Sequence, residues 1–385
     1  MPPRPRHPGV YVEEIPSGVQ TITGVPTSIA LFIGMARQGE EGRPVAIRSH
    51  SEFEQIFGSD VAYGELELQI KQFFLNGGVE AIVVRIVGEG GSHPEPGDYE
   101  NLFRALASEV DHFNVLVLPR GVEQTDDQRQ RIWGAASVFC QRHRAFLIVD
   151  PRADWNAVSD VADGIAALRV GSLIDHAAIY WPRIHVASVT WPVDPAGTIA
   201  GIIARTDTQR GVWKAPAGRD ASILGITGLE HVMSNAGNNV TNPQGVNALR
   251  QFPFGVVVWG ARTMAGFDNS GEYEYKYITV RRTALFIEKS LSLGLEFALY
   301  EQNNNRLWAQ VRLAVNAFMH NLYLQGAFQG AKASDAYFVR CDASTTTQND
   351  INQGRLSVVV GFAPVRPAEF VILKVQQSTG SPLVP

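Results

Sequence analysis

The sequence has few cysteines and lacks long apolar runs. Its two cysteines, Cys140 and Cys341, lie about half the chain apart, and neither has a second thiol at metal-ligand spacing, so both are predicted to be reduced core residues. No run approaches the ~18 apolar residues needed to cross a bilayer, and the N-terminus MPPRPRHPGVYVEE has no apolar signal-peptide core. These absences predict a protein that is made and assembled in the cytoplasm, without membrane insertion.

An excess of charge of either sign is also missing. The formal net charge of the 385 residues is -5, and no basic block exceeds a few residues. This balance argues against a nucleic-acid coat or a polybasic membrane anchor, and we predict no nucleic-acid partner. Only six of the 33 basic residues are lysine, and the arginines within residues 128–131 and 141–144 are interpreted as parts of solvated helix faces.

Signatures of catalysis are weak. The histidines form no HExxH motif and no serine lies in a G-x-S-x-G elbow. The glycine-rich stretch Gly88, Gly90 and Gly91 lacks the Gly-Lys-Ser/Thr of a P-loop. We therefore predict a protein that is not an enzyme, with no catalytic residue, cofactor or metal. The alternative is an α/β enzyme with a phosphate-binding loop near Gly88 and with His93 or Asp98 acting nearby.

Apolar strand-like runs alternate with helical segments as far as residue 210, which is typical of an α/β fold. The run SIALFIGM at 28–35 predicts a strand that is buried on both faces. Further strands are predicted at 81–87, 113–118, 146–149 and 177–181. Thr125 with Gln128 forms a capping-box pattern at the start of a helix, and Asp98 and Ser159 are predicted to start two more.

Prolines and glycines concentrate around residues 186–222 and indicate a domain boundary. Beyond it, a strand is predicted at 254–259, helices at 280–300 and 306–326, and β-rich runs at 356–360 and 370–375. The predicted fold class is thus α/β (α+β) and multi-domain. The predicted divisions are an N-terminal arm at 1–25, domains at 26–210 and 211–368, and a C-terminal arm at 369–385.

The sequences of the two chain ends predict extended strands that lie outside any domain. An isolated strand leaves its backbone donors and acceptors unpaired unless the edge of another sheet accepts it. We therefore predict that both ends pair with neighbouring copies of the chain, a head-to-tail contact that propagates into a helical filament. The N-terminal strand residues are Val10, Tyr11, Val12, Glu13 and Glu14, and the C-terminal ones are Phe370, Val371, Ile372, Leu373, Lys374, Val375 and Gln376.

Several motifs, in order along the chain, resemble the tail sheath proteins of contractile phage tails and related contractile injection systems. PGVYVEEIPSG leads into the run SIALFIGMA, and FFLNGG is followed by the strand AIVVRIV. WKAPAG, WGART and YITVRR come next, and CDASTTTQNDINQGRLSVVVGFAPVRPAEFVILKV lies near the C-terminus. Together they cover about half of the chain, including both ends.

The resemblance implies a structural subunit that polymerises helically around a tail tube and contracts without nucleotide. It implies an outer domain at 26–210, an inner, tube-facing domain at 211–368, and arms that complete a small β-sheet of neighbouring copies. The implied partners are other copies, the inner tail tube protein, and baseplate and tail terminator proteins. The implied location is a phage tail or a released phage-like contractile particle. Another self-assembling tube protein is the remaining alternative.

The predicted helix at 280–300 is the candidate for the tube-facing surface. Its charged residues could pair with complementary charges on a tube, or they could form only the solvated face of a core helix. The candidates are Arg281, Arg282, Glu288, Lys289 and Glu296.

Overall fold

The computed structural model of the chain describes residues 21–169, 173–268, 271 and 274–369. Their contacts divide them into two compact units, the sheet unit (Val25–Glu288 and residues 364–369) and the ribbon unit (residues 21–24 and Lys289–Ala363). The predicted boundary between residues 210 and 211 lies inside the sheet unit, so it does not separate two compact units. The prolines and glycines that suggested it belong to the long connection between two neighbouring strands of one sheet.

That sheet has eight strands in the order β10-β9-β6-β5-β4-β1-β3-β2. The strands of the described chain are β1 (Ala30–Gly34), β2 (Val45–Ile47), β3 (Ala81–Arg85), β4 (Val115–Val117), β5 (Phe146–Val149), β6 (Ala177–Trp181), β7 (Ile184–His185), β8 (Gly228–Leu229), β9 (Val246–Phe252), β10 (Gly255–Trp259), β11 (Tyr337–Arg340) and β12 (Val359–Phe362). The six inner strands run parallel, and β2 and β10 pair antiparallel at the two edges. The α/β prediction is confirmed.

Helices cover both faces of the sheet. The α-helices of the described chain are α1 (His50–Phe57), α2 (Leu66–Leu75), α3 (Pro96–Leu106), α4 (Asp126–His143), α5 (Val158–Arg169), α6 (Ala196–Arg210), α7 (Asn235–Thr241), α8 (Ile278–Gly294), α9 (Asn305–Leu324), α10 (Ala333–Ala336) and α11 (Gln348–Asn352). Helices α1, α2 and α6 pack on one face, and α3, α4 and α5 pack on the other. Among the described residues, no helix is both long and apolar enough to span a membrane.

Strand β1 shows why a continuous apolar run forms an inner strand. Phe32 points into the core that contains α1, α2 and α6, whereas Leu31 and Ile33 point into the core on the opposite face. All three side chains are fully buried, because successive strand residues face opposite sides of a sheet that helices cover on both sides. The sequence prediction for this strand is confirmed.

Local capping explains where the helices begin. The N–H of Gln128 donates to Thr125 Oγ1 at 3.2 Å and the N–H of Thr125 donates to Gln128 Oε1 at 2.8 Å, so the predicted capping box at α4 is confirmed. Helix α3 begins at Pro96, ahead of the predicted start, because Asp98 instead accepts the N–H of Glu95 at 2.8 Å. Helix α5 begins at Val158, one residue before the predicted start.

Helices α2 and α6 approach closely because α6 carries glycine at the contact. A Cβ at Gly201 would lie 2.4 Å from the Phe73 carbonyl oxygen, and one at Gly197 would lie 2.3 Å from the Gln69 carbonyl oxygen. Real Cβ atoms do not tolerate such separations, so only glycine permits this packing. The contact holds α2, which ends with the FFL residues of the FFLNGG motif, against the sheet unit's core.

The ribbon unit combines α9 with the two-stranded sheet of β11 and β12. Asn304 caps α9 by accepting the N–H groups of Arg306 and Leu307. One face of this helix is apolar and buried, and it includes Leu307, Val311, Ala314, Val315 and Phe318. The predicted helix at 280–300 ends earlier, at Gly294, and is followed by a short 3-10 turn at Glu296–Ala298. The predicted strand at 356–360 is displaced to Val359–Phe362.

Candidate assembly site

The antiparallel pair of β11 and β12 has two outer edges, and its register shows which groups face them. Val339 lies opposite Val360. The N–H of Ala363 donates to the Ala336 carbonyl at 2.8 Å, which identifies that pair as hydrogen-bonded. Hydrogen-bonded pairs alternate with pairs whose main-chain groups point outward. The N–H and C=O groups of Val339 and Val360 therefore face the two edges of the pair.

Neither outer edge carries a further strand within the described part of the chain. A sheet of only two strands has marginal stability by itself, and an open edge is a template for another extended segment. Each edge therefore offers a place where a strand from elsewhere can add.

The two faces of this pair differ. One face packs against Phe328, whose ring centroid lies 6.2 Å from that of Tyr337 and 5.4 Å from that of Phe362. The opposite face exposes the large apolar residues Phe338 and Val359, which are 48% and 44% accessible. An added strand at either edge would extend the packed face and could shield part of this apolar surface.

The predicted exchange strands lie outside the described residues. This applies to the N-terminal residues Val10, Tyr11, Val12, Glu13 and Glu14 and to the C-terminal residues Phe370, Val371, Ile372, Leu373, Lys374, Val375 and Gln376. Their pairing with neighbouring copies stays a prediction.

Two of the predicted tube-facing residues on α8 are buried inside the sheet unit. Arg281 Nη2 lies 3.0 Å from Asp175 Oδ2, and the same nitrogen contacts the ring of His176. Arg282 donates to both carboxylate oxygens of Asp207 at 2.9 and 2.6 Å, and only 4% of its surface is accessible. The prediction that Arg281 and Arg282 present charge to a partner is wrong, because their charges are already paired within the chain.

The other three predicted residues are not buried. Glu288 is exposed, and its carboxylate lies 3.7 Å from Arg144 Nε in a surface ion pair. Lys289 is half-buried, and Glu296 is exposed on the 3-10 turn after α8. Surface pairs of this kind contribute little to folding, so Glu288 can exchange its partner at low cost.

The carboxyl ends of the parallel strands, where α/β enzymes commonly bind ligands, hold a buried ionic network. Arg120 follows β4, and its guanidinium lies 3.0 Å from Asp194 and 2.9 Å from Asp126. Arg129 on α4 lies 3.0 Å from Asp150, which directly follows β5. Arg129 is therefore not on a solvated helix face as predicted. A carboxylate directly after a fully apolar strand, as in FLIVD, is the sequence signal that could have located this network.

The network also includes Glu65, which precedes α2. Burial raises the pKa of Glu65 to about 7, and the neighbouring charge of Asp194 adds to this effect. Burial and the charge of Asp194 likewise hold the pKa of Asp150 well above its usual range. The carboxylates outnumber the guanidinium groups of Arg120 and Arg129, so a proton is retained here near neutral pH.

The loop at Gly88 does not form an anion cradle. The N–H groups of Gly88, Gly91 and Ser92 donate to carbonyl groups of the same loop. Beside it lies a cavity of about 290 Å³ whose lining includes the acidic side chains of Glu95 and Glu123. Main-chain donors that are already engaged and acidic walls both disfavour a phosphate ligand.

Comparison with known proteins identifies the family. Residues 93–264 match the phage tail sheath protein central domain, and residues 272–378 match the phage tail sheath C-terminal domain. The sheath of the anti-feeding prophage in its contracted state is 31% identical to the chain, with a TM-score of 0.79, covering 96% of this chain and 99% of that one. The chain belongs to the phage tail sheath family.

Two further members of the sheath family match along nearly the whole chain. A prophage major tail sheath protein of Pseudomonas aeruginosa (strain UCBPP-PA14) is 23% identical over 391 residues, covering 94% of both chains. The sheath of the extracellular contractile injection system PVC, in its contracted state, is 27% identical, with a TM-score of 0.79, covering 97% of this chain and 98% of that one. The sequence-based recognition of the sheath family is thus confirmed.

The sheath family domains meet between residues 264 and 272, directly before α8. The family's central domain therefore includes β9 and β10, which the predicted boundary at 210/211 had assigned to the second domain. Strand β9 pairs parallel with β6, and this pairing of residues far apart in sequence joins the two regions.

Proposed function

We propose that this chain is the sheath subunit of a contractile, phage-derived tail, and that it polymerises helically around a tail tube. The observation that carries the proposal is the pair of open edges on β11 and β12, in a chain of the sheath family whose two ends carry strand-forming sequences. One end of a neighbouring copy adds to each edge. In this arrangement every subunit both donates and accepts strands.

Strand addition supplies enough free energy to link subunits. Each main-chain hydrogen bond contributes about 1 kcal/mol net, and burial of Phe338 or Val359 adds to it. Because each copy extends its ends to different neighbours, the contact is head-to-tail and propagates without closing. Repeated over many copies, these joints form a continuous mesh.

We propose that contraction is a switch between two packings of the same subunits. The strand joints persist while the surfaces of neighbouring sheet units exchange contacts, and no nucleotide drives the step. Matched relatives include sheaths in the contracted state and baseplate complexes of the anti-feeding prophage. These relatives support other copies and the baseplate as partners. We propose the inner tube and the tail terminator as further partners, and a structural role without catalysis. The device is a phage tail or a released phage-like particle.

The proposed tube-facing surface includes Glu288, Lys289 and Glu296, which are exposed or half-buried. It leaves out Arg281 and Arg282, which are buried. Exchanging the two adjacent charges, as Glu288→Lys with Lys289→Glu, should weaken assembly on the tube but leave sheath polymers able to form alone. Sheath that decorates tubes normally after this exchange would remove these residues from the tube contact.

Negative-stain microscopy of the full chain, with and without a tube protein, tests the function. The expected result is long helical tubes that follow the inner tube. Deleting residues 1–20 should abolish polymers but leave a folded monomer, because the core residues described for both faces of the sheet lie later in the chain. A full-length chain that forms no polymer under any of these conditions would contradict the proposal, and polymers of another helical form would favour a different tube protein.

A further inference from the structure

One imidazole and two carboxylates converge where α1 meets the first turn of α2. His50 and Glu54 lie one helical turn apart on α1, and Glu67 lies on α2. Their potential metal-ligand atoms all lie within 4.8 Å of one another. The two ring nitrogens of His50 face different carboxylates. His50 Nδ1 is 3.8 Å from Glu54 Oε1, and His50 Nε2 is 3.9 Å from Glu67 Oε1. Both exceed hydrogen-bond distances.

Two atoms of this cluster are buried without a hydrogen-bond partner among the described residues. They are His50 Nε2 and Glu67 Oε2, which are inaccessible to solvent. Most buried polar side-chain atoms have a partner, so an unpaired nitrogen beside an unpaired carboxylate oxygen requires an explanation. A cation that accepts electron pairs from both would satisfy the two atoms together.

The surroundings hold two of the three groups in place. Ser59 Oγ donates to Glu67 Oε1 at 2.7 Å, which orients that carboxylate. The His50 ring stacks on Phe53, with centroids 6.5 Å apart, and Phe53 is itself buried in the core. A hydrogen-bonded carboxylate and a packed imidazole are the kind of outer support that metal ligands receive.

We propose that His50, Glu54 and Glu67 bind one divalent transition-metal ion, of which zinc is the representative. Imidazole with two carboxylates suits zinc, cobalt or nickel and disfavours magnesium and calcium, which prefer oxygen ligands alone. Ligand atoms on a tetrahedral zinc lie roughly 3.4 Å apart when the metal–ligand bonds are about 2.1 Å. His50 would bind the ion through Nε2, which lies 3.9 Å from Glu67 Oε1. The ligand atoms of the three residues lie within 4.8 Å of one another, so side-chain rotations, largest for the exposed Glu54, are needed to close the site.

The ion would tie α1 to α2, beside the edge of the sheet at β2. Helix α2 also packs on α6 through the glycine contacts, so a bond from α1 to α2 reinforces one whole face of the sheet unit. Three protein ligands leave one position for water or for a group from another molecule. This site is separate from the strand joints, so the proposal does not depend on the proposed function.

The test uses the full-length chain, stripped with a chelator and then titrated with Zn²⁺ or Co²⁺. We expect saturable binding of one ion per chain, a rise in Tm of a few degrees, and the visible absorption of Co²⁺ in a tetrahedral nitrogen–oxygen site. Glu67→Gln and Glu54→Gln should each weaken binding by about 10-fold or more, because each removes a charged ligand. Glu54 is the more exposed of the two, so its variant is the less demanding for folding.

Glu100→Gln on the exposed face of α3 is the matched control and should bind as the unaltered chain does. Equal Zn²⁺ affinity in the Glu54 and Glu67 variants and in the unaltered chain would overturn the proposal. So would the absence of any Zn²⁺-dependent change in the unaltered chain. Stabilisation by Mg²⁺ equal to that by Zn²⁺ would overturn the assigned metal class.

Discussion

Arg282 and Asp207 form a bidentate ion pair within the sheet unit, with nitrogen–oxygen distances of 2.9 and 2.6 Å. Both side chains are almost inaccessible, and Arg282 also donates to the Thr27 carbonyl at 2.9 Å. The pair joins α8 to α6 and to the segment that enters β1. Its role is therefore internal, in contrast to the partner contact predicted for Arg282.

Removing one member of this pair should destabilise the fold strongly. Arg282→Met leaves the Asp207 carboxylate buried without its counter-charge, which is expected to cost about 3–5 kcal/mol. The double variant Arg282→Met with Asp207→Leu should recover much of that loss, because no charge remains buried. Urea unfolding measures both. A single variant as stable as the unaltered chain would show that the pair is not maintained in solution.

The buried network at Glu65 should make stability fall as pH rises from about 4.5 to about 7. The pKa of Glu65 is raised by burial from its ordinary 4.5 to about 7, so the folded chain retains a proton that the unfolded chain loses in this window. One such proton changes the free energy of unfolding by at most about 1.4 kcal/mol per pH unit. Chemical unfolding at a series of pH values measures the slope.

Glu65→Gln should remove this contribution, because glutamine stays neutral at every pH in the window. Its amide oxygen can still accept the N–H groups of Asp194 and Gln69 that now donate to Glu65 Oε2. Glu100→Gln, which changes an exposed carboxylate, should keep the original slope. An unchanged slope in Glu65→Gln would assign the pH dependence to other groups.

A proline at an outer edge of the β11–β12 pair should impair assembly more than folding. Val360→Pro removes an N–H that faces outward, so the hydrogen bonds between the two strands persist, whereas a strand added at that edge loses a donor. Val339→Pro applies the same change to the opposite edge. Circular dichroism should remain native-like in both, while microscopy should show shorter or no tubes.

Val360→Thr is the control for the edge variants, since it retains the N–H and the β-branched shape and should assemble normally. Tubes of ordinary length from both proline variants would contradict strand addition at these edges.

The contact between α2 and α6 should not tolerate a methyl group. Gly201→Ala places a Cβ 2.4 Å from the Phe73 carbonyl oxygen and should destabilise the chain by about 2 kcal/mol or more, because main chain cannot move aside as a side chain can. Gly97→Ala, in the first turn of α3 with no atom within 4 Å of the added Cβ, should be neutral or slightly stabilising. Thermal unfolding measures the stability of both variants. Equal changes in Tm in the two variants would contradict tight packing between α2 and α6.

The sequence by itself determined the elements whose signals are local. The run ALFIG is apolar at every position, which suits a strand covered on both faces, and Thr125 with Gln128 completes a capping box within four residues. The glycines of FFLNGG and the strand-forming chain ends are part of the pattern that identified the sheath family. Burial and capping of these kinds depend on residues that are neighbours in sequence. The sequence alone was therefore sufficient to predict these elements.

Only the tertiary structure decided which charges are available to partners. Arg282 and Glu288 lie on the same helix, yet Asp207, 75 residues earlier in the chain, neutralises the first, while the second is exposed. Arg129 belongs to a polar stretch but is buried against Asp150, and β9 joins the sheet by pairing with β6. Ion pairs and strand order depend on residues that are distant in sequence. Local periodicity does not indicate which distant residue a charged side chain will pair with, or which strand will add to an edge.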